Sequence, residues 1–198
     1  TNEELNAYTY MDYTYKVFFD AASKEKYFNN TIFVFVGDHG IRGVAGDMMP
    51  KVWTEQSLTA QHVPLLFYAP SLLKPQVIER KVSQIDIMPS IAWLANLPVN
   101  NTTLGRNFFS NPDVKDSSDA TNHTFILDLP LNLIGLVGEK YYYEYNLGTK
   151  KESVYSLLHN NPLQPGEPHP VLLNEFRNLT MGYYETSKYM LFNNKKRK

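Results

Sequence analysis

The run Asn30-Thr31-Ile32-Phe33-Val34-Phe35-Val36-Gly37-Asp38-His39-Gly40 sets the fold class of this chain. Ile32 to Val36 are all β-branched or aromatic, with no alternation of apolar and polar residues. This pattern predicts a strand buried on both faces, as in a parallel sheet flanked by helices. The strand breaks at Gly37, and a carboxylate and an imidazole follow on adjacent positions before a second glycine. In open α/β sheets, ligands gather beyond the carboxyl ends of the strands, which makes Asp38 and His39 candidate metal-ligating or catalytic residues. Carboxylate and imidazole together suit zinc or manganese, and the two glycines permit backbone geometry that a Cβ resists. The same residues also suit an ordinary strand-to-loop turn with an Asp cap and an exposed His, and spacing alone leaves both readings open.

Thr31 to Gly40 resembles the late metal-binding motif of the alkaline phosphatase/sulfatase superfamily, and more closely that of its lipoteichoic acid synthase and phosphoethanolamine transferase branch. Other segments agree in order. Tyr8 to Phe28, containing Tyr10-Met11-Asp12-Tyr13, resembles the preceding helix, and Gln61-His62-Val63-Pro64-Leu65-Leu66-Phe67-Tyr68-Ala69-Pro70 resembles the next core strand. Ser83-Gln84-Ile85-Asp86-Ile87-Met88-Pro89-Ser90-Ile91 resembles the following helix, and Gly105-Arg106-Asn107-Phe108-Phe109 the short segment after it. The resemblance covers residues 6–110 well and the remainder loosely. It implies an α/β fold: the C-terminal portion of an alkaline phosphatase-like sandwich, with a mixed, mostly parallel sheet and flanking helices over 1–110. A small antiparallel sheet and a C-terminal helix would follow over 111–198, the whole forming a single segment of a sulfatase-like catalytic domain.

The resemblance also implies chemistry. Asp38 and His39 match the late Asp-His ligands of a divalent metal, Mn²⁺ or Zn²⁺, in enzymes that use a metal-bound Thr, Ser or formylglycine nucleophile. The branch's early Glu and nucleophilic Thr precede that pair by far more than 37 residues, and Thr31 and Thr54 stand in no matching motif. The expectation is therefore no catalytic nucleophile within this chain, and a C-terminal piece of a larger enzyme that is inactive alone. A strand starting at residue 32 also leaves little preceding sequence to supply neighbouring strands. His62 falls where the transferase pattern puts a histidine that meets substrate phosphate or a second zinc. Neutral it can ligate; protonated it can pair with a phosphate oxygen. A histidine entering a buried strand is equally served by a backbone carbonyl. Lys51 occupies a place comparable to an anion-contacting lysine of sulfatases, with a solvated surface lysine as the plain alternative. The implied partners are a phosphate or sulfate ester, a lipid head group, and the missing N-terminal part of the enzyme. The implied location is extracytoplasmic, through a membrane anchor outside this chain. Two other readings remain: a non-catalytic binding module of the same fold, which predicts no metal dependence, and a piece of a soluble phosphatase or sulfatase, the latter active on aryl sulfates.

Composition narrows the classes. The 198 residues suit one domain with a sizeable core, and 43% hydrophobic with 14% aromatic residues describes a folded chain. A net charge of -1 gives no argument for nucleic acid, and the one basic run, Lys195-Lys196-Arg197-Lys198, is read as a solvated tail. With no cysteine there is neither a disulfide frame nor thiolate chemistry, which fits an extracytoplasmic bacterial protein without establishing one. No apolar run approaches the ~20 residues of a membrane span, and nothing resembles a signal peptide.

Elsewhere the pattern is clear in places. Leu5, Tyr8, Met11, Tyr15, Phe18, Phe19 and Ala22 recur three or four apart, predicting an amphipathic helix over 4–27 that ends at Asn29-Asn30. Ile41 to Thr59 is expected to be a long loop beside the site. Val77-Ile78 is expected to start a short strand, and Ser83 to cap a helix terminated by Asn96-Leu97-Pro98, with Asp86 structural near its N-terminus. After a polar loop over 111–122, Phe125–Leu127, Ile134–Val137, Tyr141–Tyr145 and Val154–Leu158 predict short strands, with Gly138-Glu139-Lys140 a hairpin turn. His123 and the tyrosines are expected on sheet faces, with a carbohydrate-stacking surface as the lesser reading. Prolines at 162, 165, 168 and 170 lead into a final helix over 171–193. Its apolar face of Leu172, Leu173, Phe176, Leu179, Tyr183 and Met190 should dock on the sheet. No internal repeat appears, and the Asn-x-Ser/Thr triplets at 29, 100, 101, 122 and 178 are what an Asn-rich chain makes by chance.

Overall fold

The computed structural model describes residues 2–110, 122–158, 160, 163 and 166–193. Four α-helices and six strands occur among them: α1 (Asn2–Ala22), β1 (Phe33–Val36), α2 (Val52–Glu55), β2 (Leu65–Tyr68), α3 (Ile87–Leu94), β3 (Thr124–Asp128), β4 (Leu133–Val137), β5 (Tyr141–Asn146), β6 (Glu152–Ser156) and α4 (Pro170–Asn193). They fall into two compact units, one of Thr1–Val36 with Pro64–Gln76, the other of Gly37–Val63 with Val77–Lys198.

The first unit is an aromatic cluster on a two-stranded ribbon. Phe33 and Phe35, two residues apart and so on one face of β1, meet the C-terminal half of α1. Phe18 lies edge-on to Phe33 at 5.8 Å and Tyr15 to Phe35 at 5.2 Å, while Phe19 reaches Tyr68 of β2 at 5.1 Å. Phe28, in a 3-10 turn over Phe28–Asn30, closes the cluster. The parallel pairing expected for β1 is not observed: β1 pairs antiparallel with β2, in the register Phe33↔Tyr68 to Val36↔Leu65. Nor is β1 buried on both faces, since Val36 is exposed. A run of β-branched and aromatic residues reports a surface that packs well on one side, and here α1's rings supply that side. The N-terminal half of α1 is periodic as expected, yet Leu5, Tyr8 and Met11 are exposed.

The second unit is built on a four-stranded antiparallel sheet in the order β3-β4-β5-β6. All four expected strands are present, and the Gly138–Lys140 turn closes through Gly138 N–H donating to Tyr141 O at 2.9 Å. Alternation splits the sheet into two apolar faces. On one, Leu136 and Tyr143 bury Phe176 of α4, joined by Leu172, Leu173, Leu179 and Tyr183, the docking face the sequence predicts except for Met190, which is not part of this cluster. On the other, Ile126, Val137, Tyr142 and Leu157 pack against Val52 and Leu58. Tyr142 and Tyr143 are therefore core residues, one on each face of the sheet, while Tyr141 and Tyr145 are half-buried. The segment expected as an irregular loop, Ile41 to Thr59, instead contains α2 and 3-10 turns over Gly46–Met48 and Leu58–Ala60. Val52 and Leu58 give those turns an apolar anchor on the sheet.

Ahead of α3, a 3-10 turn over Gln84–Asp86 carries a capping box between Ser83 and Asp86. Asp86 is 2% exposed and accepts from Ser83 N–H at 2.8 Å and Arg106 N–H at 2.6 Å, the structural role expected of it. Gly105 is required there, because a Cβ would fall 1.9 Å from Ile85 O. Residues 77–78 form no strand, having no neighbouring strand to pair with. Of the polar loop expected at 111–122, only Asn122 lies within the described residues, and of the four prolines leading into α4, Pro162 and Pro165 lie outside them. Among the described residues, no helix is long and apolar enough to cross a membrane.

Candidate metal centre

Asp38 and His39 follow β1 after Gly37 and belong to the unit built on the four-stranded sheet. No ladder holds them; specific bonds do. Gly40 N–H donates to Ala60 O at 2.8 Å, tying the segment to the 3-10 turn at 58–60. A Cβ on Gly40 would lie 2.2 Å from Thr59 O and 3.0 Å from His62 O, so only glycine lets these backbones approach. The second glycine thus serves close approach rather than an unusual φ. Asp38 Oδ1 accepts its neighbour's backbone N–H, from His39, at 2.9 Å.

That leaves both side chains facing water, with Asp38 91% and His39 75% exposed. His39 Nδ1 lies 2.7 Å from Gly40 O. A carbonyl oxygen only accepts, so Nδ1 carries the hydrogen and, in the neutral ring, Nε2 presents a lone pair. This is the tautomer control that metal-binding histidines use, with the far nitrogen fixed by a carbonyl. Nε2 in turn stands 3.8 Å from Asp38 Oδ2. Half that separation is shorter than the about 2.0–2.2 Å at which zinc holds nitrogen or carboxylate oxygen, so one ion can reach both atoms. The donor pair fits a divalent cation. It does not complete one: a tetrahedral site needs four ligands, and among the described residues no group of three or more His, Cys, Asp or Glu comes together to hold a metal.

His62 is exposed before β2, its ring edge-on to Trp53 of α2 at 5.3 Å. Its backbone N–H donates to Leu58 O, and its own carbonyl borders Gly40. The His62 backbone is thus brought beside the Asp-His segment. Lys51 is placed otherwise. It precedes α2, its N–H donates to Asn160 Oδ1 at 2.6 Å, and its side chain is exposed. No hydrogen bond or ion pair joins Lys51 to Asp38 or His39 among the described residues.

Two further residues, neither of a metal-ligand pattern in the sequence, hydrogen-bond to this region. Gln84 donates from Nε2 to the carbonyls of Gly37, at 2.6 Å, and Asp38, at 3.1 Å. Asp128, at the end of β3, accepts from Arg42 Nη2 at 3.4 Å and Gln61 Nε2 at 3.5 Å, steadying both ends of the 41–61 segment. Both act across more than 45 residues of sequence, a distance local spacing does not report. A cavity of about 810 Å³ lies elsewhere, between α4 and the backbone near Arg106 and His123, and contains none of the candidate ligands. Chemistry, not concavity, marks the candidate centre.

Residues 1–97 match the sulfatase family model. Over 93% of its length the chain is similar in fold to a protein of the alkaline phosphatase superfamily from Vibrio parahaemolyticus, with a TM-score of 0.68, 20% identity and 41% of that chain covered. It is also similar to a 2-O glycosaminoglycan sulfatase, with a TM-score of 0.51, 19% identity, and 82% of this chain and 38% of that one covered. A third similar structure was solved with its substrate D-glucosamine-2-N,6-O-disulfate, with a TM-score of 0.50, 16% identity, and 90% and 38% covered. The fold is therefore that of the alkaline phosphatase superfamily. The chain spans about two fifths of the length of the solved structures it matches.

Proposed function

We propose that this chain, with its alkaline phosphatase-superfamily fold and sulfatase-model match over residues 1–97, contributes Asp38 and His39 as two ligands of a divalent-metal site. The enzyme would cleave or transfer a phosphate or sulfate ester. The observation that carries this reading is the pair itself: Nε2 presented by the Nδ1–Gly40 bond, 3.8 Å from a solvent-facing carboxylate oxygen. The remaining ligands and the nucleophile would come from polypeptide outside this chain. A divalent ion, Mn²⁺ or Zn²⁺, would supply Lewis-acid polarisation of the phosphoryl or sulfuryl oxygen when bound. Asp38 would contribute the negative charge that binds a cation, and His39 a neutral donor whose orientation is already fixed. His62, exposed on the neighbouring segment, would donate from its imidazole to an anionic substrate oxygen, and Lys51 would add long-range attraction only.

For the ester, the motif resemblance favours phosphoglycerol or phosphoethanolamine transfer from a lipid head group, which carries with it an extracytoplasmic, membrane-anchored enzyme. The sulfatase model over 1–97 and the sulfatase likenesses favour the second reading, hydrolysis of a sulfate ester. The test is carried out on the complete polypeptide that contains this chain. Release from phosphoglycerol, phosphoethanolamine and aryl or sugar sulfate esters is assayed with Mn²⁺ or Zn²⁺ and after chelation. Metal-dependent release from one class is expected, with Asp38→Ala abolishing it. Failure on all three by a folded protein would leave a binding module as the better reading.

A further inference from the structure

We infer that Gln84 is a positioning residue for the Asp38–His39 pair, an inference that rests on the metal-site reading above. Its side-chain amide nitrogen lies 2.6 Å from Gly37 O and 3.1 Å from Asp38 O. An amide NH₂ has two hydrogens, so both bonds are made at once. Two consecutive carbonyls of a segment outside any strand or helix are thereby clamped by one side chain.

The clamp has a fixed base. Gln84 opens the 3-10 turn over Gln84–Asp86, and the Ser83–Asp86 capping box locks that turn. Asp86 is buried and also accepts from Arg106 N–H, so the base does not move with solvent-exposed chain. On the far side, Gly40 is held by Ala60 O. Asp38 and His39 are thus suspended between two anchors, with Gln84 before them and the 58–60 turn after them. Side chains this exposed gain no fixed direction from packing. Their mutual geometry comes from the backbone beneath them, and an unclamped segment would have to be ordered anew each time a cation binds. Outer-shell partners of this kind are worth about 10–100-fold in metal affinity.

The experiment uses this chain, isotope-labelled, with Gln84→Leu, which keeps the length and removes both donors, and Gln84→Glu, which turns an acceptor toward the two carbonyls. Three quantities are read: the His39 ring tautomer from its nitrogen shifts without metal, amide exchange at Asp38 to Gly40 without metal, and Mn²⁺ affinity from relaxation enhancement. In the parent chain, His39 should hold one tautomer. In Gln84→Leu the ring should show a tautomer mixture, the amides should exchange faster, and Mn²⁺ affinity should fall about tenfold. Gln84→Glu should lose at least the tautomer and the amide protection, while the resonances of β3 to β6 stay in place. Unchanged tautomer and exchange in Gln84→Leu would overturn the inference, as would collapse of the whole fold, which would make Gln84 a general stabiliser. If the parent chain binds no Mn²⁺, the two metal-free readouts still decide the clamp, and the metal reading is decided separately by the assay of the complete polypeptide.

Discussion

Asp38 and His39 owe their geometry to neighbours that lack functional groups. Gly40 is the clearest case. Its backbone accepts from His39 Nδ1 through the carbonyl and donates to Ala60 O through the amide, while its missing side chain makes room for Thr59 O. Gly40→Ala therefore has to push apart two backbone segments, costing about 1–3 kcal/mol by the usual toll of overpacking. Urea denaturation should show that loss, and the His39 ring should no longer keep a single tautomer. A variant as stable as the parent would mean that the approach to Thr59 is looser than described. At this scale the sequence was informative about identity and silent about support. Asp38 and His39 stand out because two ligand types follow a strand. Gln84 and Asp128 do not, because their hydrogen bonds to the segment close across more than 45 residues. Whether Lys51 belongs to the same centre was beyond spacing: it sits twelve residues from His39, but at the start of α2 its contact is Asn160.

Among the elements, α4 and the sheet beneath it show how far periodicity reaches. The alternation in Leu136, Val137, Tyr142 and Tyr143 and the three-four spacing along α4 each name a face, and the structure puts those faces together. Phe176 is 0% exposed between Leu136 and Tyr143. Phe176→Ala should cost about 3–5 kcal/mol, measured by chemical denaturation, whereas Val171→Ala, at an exposed position of the same helix, should be nearly neutral. The edge of this contact is polar. Arg177 donates to both oxygens of Glu152, and Tyr143 Oη donates to one of them. The guanidinium holds the Glu152 carboxyl below the usual glutamate range, chiefly through its hydrogen bonds. A carboxyl whose folded value is depressed adds stability that is present above its unfolded pKa and is lost as pH falls through the folded one. Acid titration should therefore weaken α4 docking, and Arg177→Gln should flatten that part of the profile. The pair is partly exposed, so the effect is about 1 kcal/mol or less and shrinks in salt. An unaltered profile in Arg177→Gln would remove Glu152 from the acid response. Strand β1 marks where periodicity stops. Its apolar run foretold a strand, but composition does not encode direction, and the partner proved antiparallel. Likewise, the spacing along α1 states which residues share a face, not whether a layer covers it, and Leu5, Tyr8 and Met11 are exposed.

At the scale of the molecule, the two compact units differ in what holds them. The unit containing α1, β1 and β2 has one two-stranded ribbon and a cluster of partly exposed rings, whereas the other closes a four-stranded sheet between two buried faces. Isolated two-stranded ribbons are marginal in water, so native-state amide exchange should open β1 and β2 at lower free energy than β3 to β6. Equal protection would show one cooperative unit. The candidate centre belongs to the better-packed unit, in a segment anchored to its sheet through Val52 and Leu58. Carboxylate and imidazole are thereby presented to water from a supported backbone. The most direct test of that arrangement is Mn²⁺ titration of this chain, followed by paramagnetic line broadening. Broadening should centre on Asp38, His39 and Gly40 at millimolar metal, as two ligands dictate, and should vanish in Asp38→Ala and His39→Ala while their melting temperatures stay unchanged. Broadening centred on other carboxylates, or undiminished in those two variants, would contradict the account.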